Sequence, residues 1–116
     1  MSLRDKIKNI SDIKKEIIRV SAWDDIDIEI RTMSAKIRSD ILGQVMDEKG
    51  KINHDRFHAL MIITSCYEVG TDNLIFTDDD AEWLMNKAVG PIELIVSKIM
   101  KISGLSKDAM DNSEKN

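Results

Sequence analysis

The chain has 116 residues, 42% of them hydrophobic and 33% charged, with 17 Lys+Arg against 21 Asp+Glu and a net charge of −4. That length holds one domain, the apolar content excludes a chain disordered throughout, and no apolar run approaches the roughly 20 residues needed to cross a bilayer. The charge is unevenly placed: residues 1–22 carry six basic and three acidic groups, and the remainder carries 11 and 18. An acidic body repels phosphate, so nucleic acid is not an expected partner. No signal peptide is visible, and the single cysteine, Cys66, makes no internal disulfide, which suits a reducing cytoplasm.

In chain order, Leu3, Ile7, Ile10 and Ile13 recur at steps of three and four, a helical spacing in a piece too short to be stable alone. Residues 1–12 are therefore expected as a docked first helix or a mobile arm. The period then changes to two. Ile18, Val20 and Ala22 share one side of a strand, and Ile26, Ile28 and Ile30 alternate with Asp27, Glu29 and Arg31. Asp24-Asp25 suits the turn between them, giving a β-hairpin with an apolar face and a charged face. A lone hairpin is unstable, so its isoleucine face needs helices or a sheet to lie on.

Four helices follow. Ser34 caps one running through Met46, with Ile37, Ile41, Leu42 and Val45 in its stripe. Asn53 caps the next, about 54–68, whose apolar residues Phe57, Leu60, Met61, Ile62, Ile63 and Cys66 cover so much of its circumference that it is expected at the centre. Thr77 caps a third, about 78–88, with Asp78, Asp79 and Asp80 in the first turn, where the helix dipole favours negative charge. Pro91 suits the first turn of a fourth, with Ile92, Ile95, Val96, Ile99 and Met100 as its stripe, and Ser103-Gly104-Leu105 closes it. The expected architecture is a single α+β domain over residues 13–106, an N-terminal β-hairpin followed by a bundle of about four α-helices, with a polar, flexible tail at 107–116.

Few residues suggest chemistry. His54 and His58 stand at i and i+4, the spacing of zinc proteases, but Asp55 replaces the usual glutamate and no third histidine exists. Two solvated histidines are the simpler reading, and a metal-dependent hydrolase built on them is one alternative. Asp78-Asp79-Asp80 lacks the alternating ligands of a calcium loop and reads as a helix start, while Asp24, Asp25, Asp27 and Glu29 read as a turn and an exposed strand face. Cys66 sits among apolar residues and reads as an inert thiol. The glycines form no phosphate loop. Trp23 and Trp83 suit either the core or a partner's surface. No cofactor and no catalysis are expected.

The order of pieces resembles a known family. Residues Ile13 to Trp23, followed by Ile26 to Ser34, resemble the opening hairpin of phage tail assembly chaperones of the XkdN-like group. Leu74-Ile75-Phe76-Thr77-Asp78-Asp79-Asp80-Ala81-Glu82-Trp83-Leu84 is similar to that family's phenylalanine, hydroxyl and acidic run opening a helix. Ile99-Met100-Lys101-Ile102-Ser103-Gly104-Leu105-Ser106 is similar to its closing helix. The Gly70-Thr71-Asp72-Asn73 loop departs from relatives that often carry a proline there.

The resemblance implies a non-enzymatic phage or prophage protein of the host cytoplasm, absent from the mature virion. Such a protein binds the tape measure protein, keeps it soluble and helps recruit tail tube protein, often through a longer product made by ribosomal slippage. Here Glu114-Lys115-Asn116 is the candidate slippery end. Self-association is also compatible with such a role. An apolar, methionine-containing groove suits a helical client. Most of Met33, Met46, Met61, Met85, Met100 and Met110 are expected in the core. Trp83, Met100, Leu105 and Met110 are the candidate partner-binding residues, Met100 and Met110 being the methionines expected to be exposed. The alternative from helices 54–68 and 78–88 is a small helical DNA-binding regulator.

Overall fold

The computed structural model describes residues 2–105, so Met110 and the tail 107–116 lie outside the described residues. The domain is α+β: a hairpin and a short third strand form one antiparallel sheet, and helices cover one face of it.

The hairpin is β1 (Lys15–Val20) and β2 (Ile26–Arg31), with Ile18 opposite Ile28 and Glu16 opposite Ile30. Alternation does what period two requires: Ile18, Val20, Ile28 and Ile30 are buried. A single 3-10 turn at Ser21–Trp23 leads to Asp24 and Asp25, both at φ 56°, a left-handed conformation that aspartate tolerates better than most residues.

Helix α1 (Leu3–Asn9) precedes the hairpin. Ser2 caps it by accepting the Asp5 N–H at 3.1 Å, yet it buries none of its residues. It is a formed helix that is not docked on the body. Helix α2 (Ala35–Val45) is capped by Ser34, and α3 (His54–Ser65) by Asn53, as their sequences predict. Ala59 through Ile63 are all buried, so α3 is the central helix. Helix α5 (Val89–Ile102) lays Ile92, Ile95, Val96 and Ile99 on the core. Its end is a Schellman motif. Gly104 at φ 73° lets the Leu105 N–H reach the Met100 carbonyl at 2.8 Å, and the Gly104 N–H reaches that of Lys101 at 3.1 Å.

Three expectations need correction. The helix predicted for 54–68 stops at Ser65, and Cys66–Tyr67 becomes strand β3, pairing with the free edge of β2 at Ile30 and Glu29. The unpaired edge of β2 supplies backbone partners that outweigh one more helical turn. The helix predicted for 78–88 is a 3-10 turn at Asp78–Asp80 followed by four helical residues, α4 (Ala81–Leu84). Asn86, a poor helix former, lies where the chain must turn into α5.

Glu29, read as part of an exposed face, is buried. Its Oε2 accepts from Arg31 Nε at 3.0 Å and its Oε1 from the Gly70 N–H at 3.3 Å. Arg31 in turn donates to the Thr71 carbonyl at 2.7 Å and to Asp72 at 3.0 Å, with its guanidinium 3.7 Å from the Tyr67 ring centroid. Two residues of β2 thus fasten the loop after β3. The Arg31 hydrogen bond holds the Glu29 carboxyl below its ordinary value of 4.5; burial pushes it the other way, and the Gly70 N–H helps to keep it charged.

Two predictions follow from the packing. Ile95→Ala, at a fully buried position, should cost about 2–5 kcal/mol in a urea melt, whereas Ile7→Ala should leave the midpoint unchanged because α1 buries nothing. A carboxyl depressed in the folded state contributes stability above its unfolded pKa and loses it as pH falls through the folded value. Stability should therefore decline below the ordinary value of 4.5, and Glu29→Gln should flatten that part of the pH–stability curve while lowering stability at neutral pH.

Candidate functional site

Cover of the hairpin is incomplete at its turn end: Val20 is buried, while its cross-strand partner Ile26 is not. Ile26 points to the same side as Ile28 and Ile30, but it is 52% exposed while they are buried. The uncovered strip is one wall of an open groove of about 460 Å³. Trp23 and Ile26 line it from the hairpin, Ile75 and Phe76 from the segment after β3, and Trp83 and Lys87 from α4 and the turn that follows.

Local chemistry holds the α4 wall in place. Asp80 Oδ2 accepts the Thr77 N–H at 2.8 Å, the acidic variant of the capping box read from the sequence. Asp80 Oδ1 accepts from Trp83 Nε1 at 2.9 Å. The Thr77 N–H, then the Trp83 indole, hold the Asp80 carboxyl below its ordinary range. The helix opening thereby fixes the indole while leaving Trp83 45% exposed. Phe76 meets the indole edge-on at a centroid distance of 5.9 Å, and Lys87 Nζ lies 5.8 Å from its ring. The Arg31–Glu29 fastening fixes the loop that delivers Ile75 and Phe76 to the opposite side, and the Ile75 N–H bonds the Cys66 carbonyl at 3.1 Å. The result is an aromatic and aliphatic cleft built from three separate parts of the chain.

The structure does not gather the candidate residues at one place. Trp83 lines the groove. Leu105 is half-buried and lines a separate cleft of about 420 Å³ with Met33, Arg38 and Leu42. Met100 is half-buried and packs against the core; among the described residues it is Met46, not Met100, that is the most open methionine, at 44%. Met110 lies outside the described residues. Sequence reasoning missed Ile26, Ile75 and Phe76 as members of a site. A signal for Ile26 exists: the apolar alternation of β2 begins right at the turn.

His54 is exposed and His58 half-buried, with ring centroids 6.5 Å apart. Among the described residues no group of three or more His, Cys, Asp or Glu side chains is placed to hold a metal ion. Cys66 is fully buried, and burial pushes its thiol up to about 12, far from the thiolate a nucleophile needs. The second helix of the imagined DNA-binding pair is α4, four residues long and opened by acids, too short to be a recognition helix. Among the described residues no helix is long and apolar enough to cross a membrane.

No family model matches the sequence, and no curated protein matches it. The fold does have a counterpart among solved structures. It is similar to the bacteriophage HK97 tail assembly chaperone, with a TM-score of 0.57 and 10% sequence identity over 86% of this chain and 95% of that one. So little identity over nearly the whole of both chains is a likeness of architecture.

Proposed function

We propose that this chain is a phage tail assembly chaperone of the XkdN-like group, a binding protein that runs no reaction. The observation that carries the reading is the fold likeness to the HK97 chaperone, which takes in nearly all of both chains rather than a common fragment. Fold alone does not fix function. Two independent features point the same way: the order of hairpin, acidic helix start and Ser-Gly-Leu closure in the sequence, and an open apolar groove whose exposed indole is held by Asp80.

On this reading the client is the tape measure protein, a long helical chain whose apolar stripe aggregates when bare. The groove takes such a stripe as an amphipathic helix is taken, by side chains at successive turns. Trp83, held by Asp80, is the rigid aromatic anchor. Asp24 and Lys87 are the charged residues lining the groove, and they keep its edge in water. Met100, Leu105 and Met110 are proposed as further client contacts away from the groove. Tail tube protein is the second partner, recruited by a longer product made by slippage near Lys115. The protein works in the cytoplasm of the bacterial host and is left out of the finished virion.

Co-expression tests this. The tape measure protein encoded beside this chain should move from the pellet to the soluble fraction when the chain is present, and Trp83→Ala should reduce the soluble share. Equal solubility with and without the chain refutes the role. A shift of DNA in a gel at moderate salt, lost on Arg or Lys substitution, would favour the regulator instead.

A further inference from the structure

The arm α1 carries an apolar stripe that nothing among the described residues covers. Leu3 is 73% exposed, Ile7 62% and Ile10 63%. At about 100° per residue they share an arc of about 60°, with Lys6 on one side of it and Arg4 and Lys8 on the other. Asp5 stands on the opposite face, and its pairing with Arg4 at 3.3 Å is exposed and worth little. Long cationic side chains on both borders of a narrow aliphatic stripe can lay their stems beside it and reach outward with their charge.

The charge of the chain is arranged to the same effect. Lys14 and Lys15 follow the arm and are exposed at the open end of the hairpin, with Asp12 and Glu16 as their acidic neighbours in sequence. Residues 1–22, with six basic and three acidic groups, thus form a positive end on a negative molecule. Asp24 and Asp25 stand at the turn, beyond the six residues of β1, or about 20 Å away. Charges farther apart than the Debye length, about 8 Å at physiological salt, are largely screened. Those acids therefore do not cancel the attraction of the arm for a negative surface.

We propose that α1 lies in the headgroup layer of an anionic lipid bilayer, with Leu3, Ile7 and Ile10 toward the acyl chains and Arg4, Lys6 and Lys8 at the phosphates. A bilayer suits this surface better than other anionic partners do. Nucleic acid is held through its phosphates and has no use for three exposed aliphatics on the binding face. A protein partner is gripped by anchors that fill pockets, aromatic ones above all, and α1 has no aromatic residue. A lipid surface needs only an apolar stripe with cations on the polar side. A helix this short attaches loosely by itself, and lasting attachment takes a second signal, which Lys14 and Lys15 supply as charge beside the arm. The attachment is peripheral and reversible, and it leaves the groove at the turn end of the hairpin in water. The inference stands apart from the chaperone reading, since it concerns the purified chain and lipid alone.

Co-sedimentation of the purified full chain with extruded vesicles tests it. One set is phosphatidylcholine alone, and the other is phosphatidylcholine and phosphatidylglycerol in equal parts. Wild-type protein should pellet with the anionic vesicles and stay in solution with the neutral ones, and added salt should weaken the binding. Ile7→Ala should weaken it about tenfold, the loss expected for one aliphatic side chain no longer buried. Lys6→Glu, which keeps the stripe and reverses a flanking charge, should weaken it as well, and Trp83→Ala should not. Far-UV circular dichroism checks that each variant folds. Wild-type protein that ignores both vesicles leaves the stripe to a protein partner and overturns the proposal. Equal binding to neutral vesicles overturns the part given to charge. Binding that salt abolishes but Ile7→Ala leaves intact marks a simple polyanion site, and binding lost on Trp83→Ala alone places the contact at the groove; either result overturns the proposal.

Discussion

Strand β2 is the constraint on which the rest depends. It is paired on both edges, by β1 on one side and by Cys66–Tyr67 on the other, and its inner residues Ile28 and Ile30 are buried. A sheet this small is stable only when one face is covered; α5 lies on both hairpin strands, and the central α3 packs against α5. The two faces of β2 then have different work. Ile28 and Ile30 carry the core, while Glu29 and Arg31 on the other face hold the loop that follows β3. Loss of either set would free the segment that brings Ile75 and Phe76 to the groove.

The groove is a consequence of incomplete cover. At the last rung of the hairpin Val20 is buried but its partner Ile26 is not, so an apolar alternation that is satisfied at Ile28 and Ile30 is left open there. Closing the gap would need a longer helix before α5, and the chain has instead a single turn of 3-10 helix and the four residues of α4. That economy leaves an indole half in water, fixed by a carboxylate, where a continuous helix would have buried it. A preorganised aromatic edge binds with less loss of side-chain freedom than a flexible one.

Much of the fold was legible because its signals are local. Period-two alternation found the hairpin, Ser34 and Asn53 found two helix starts, and Gly104 with Leu105 found the last helix end. What escaped was non-local. Cys66 and Tyr67 continue the apolar pattern of α3, and a strand of two residues has no period of its own; only the open edge of β2, 36 residues earlier at Ile30, makes it a strand. Glu29 reads as solvated in its alternating run, and its burial depends on Gly70 and on Arg31 being held by Asp72. Trp83 was visible as a candidate, but its partners in the groove come from two other stretches of chain, which no spacing rule connects. The arm was legible as helical and not as undocked, because the sequence shows an apolar stripe without showing what lies beneath it.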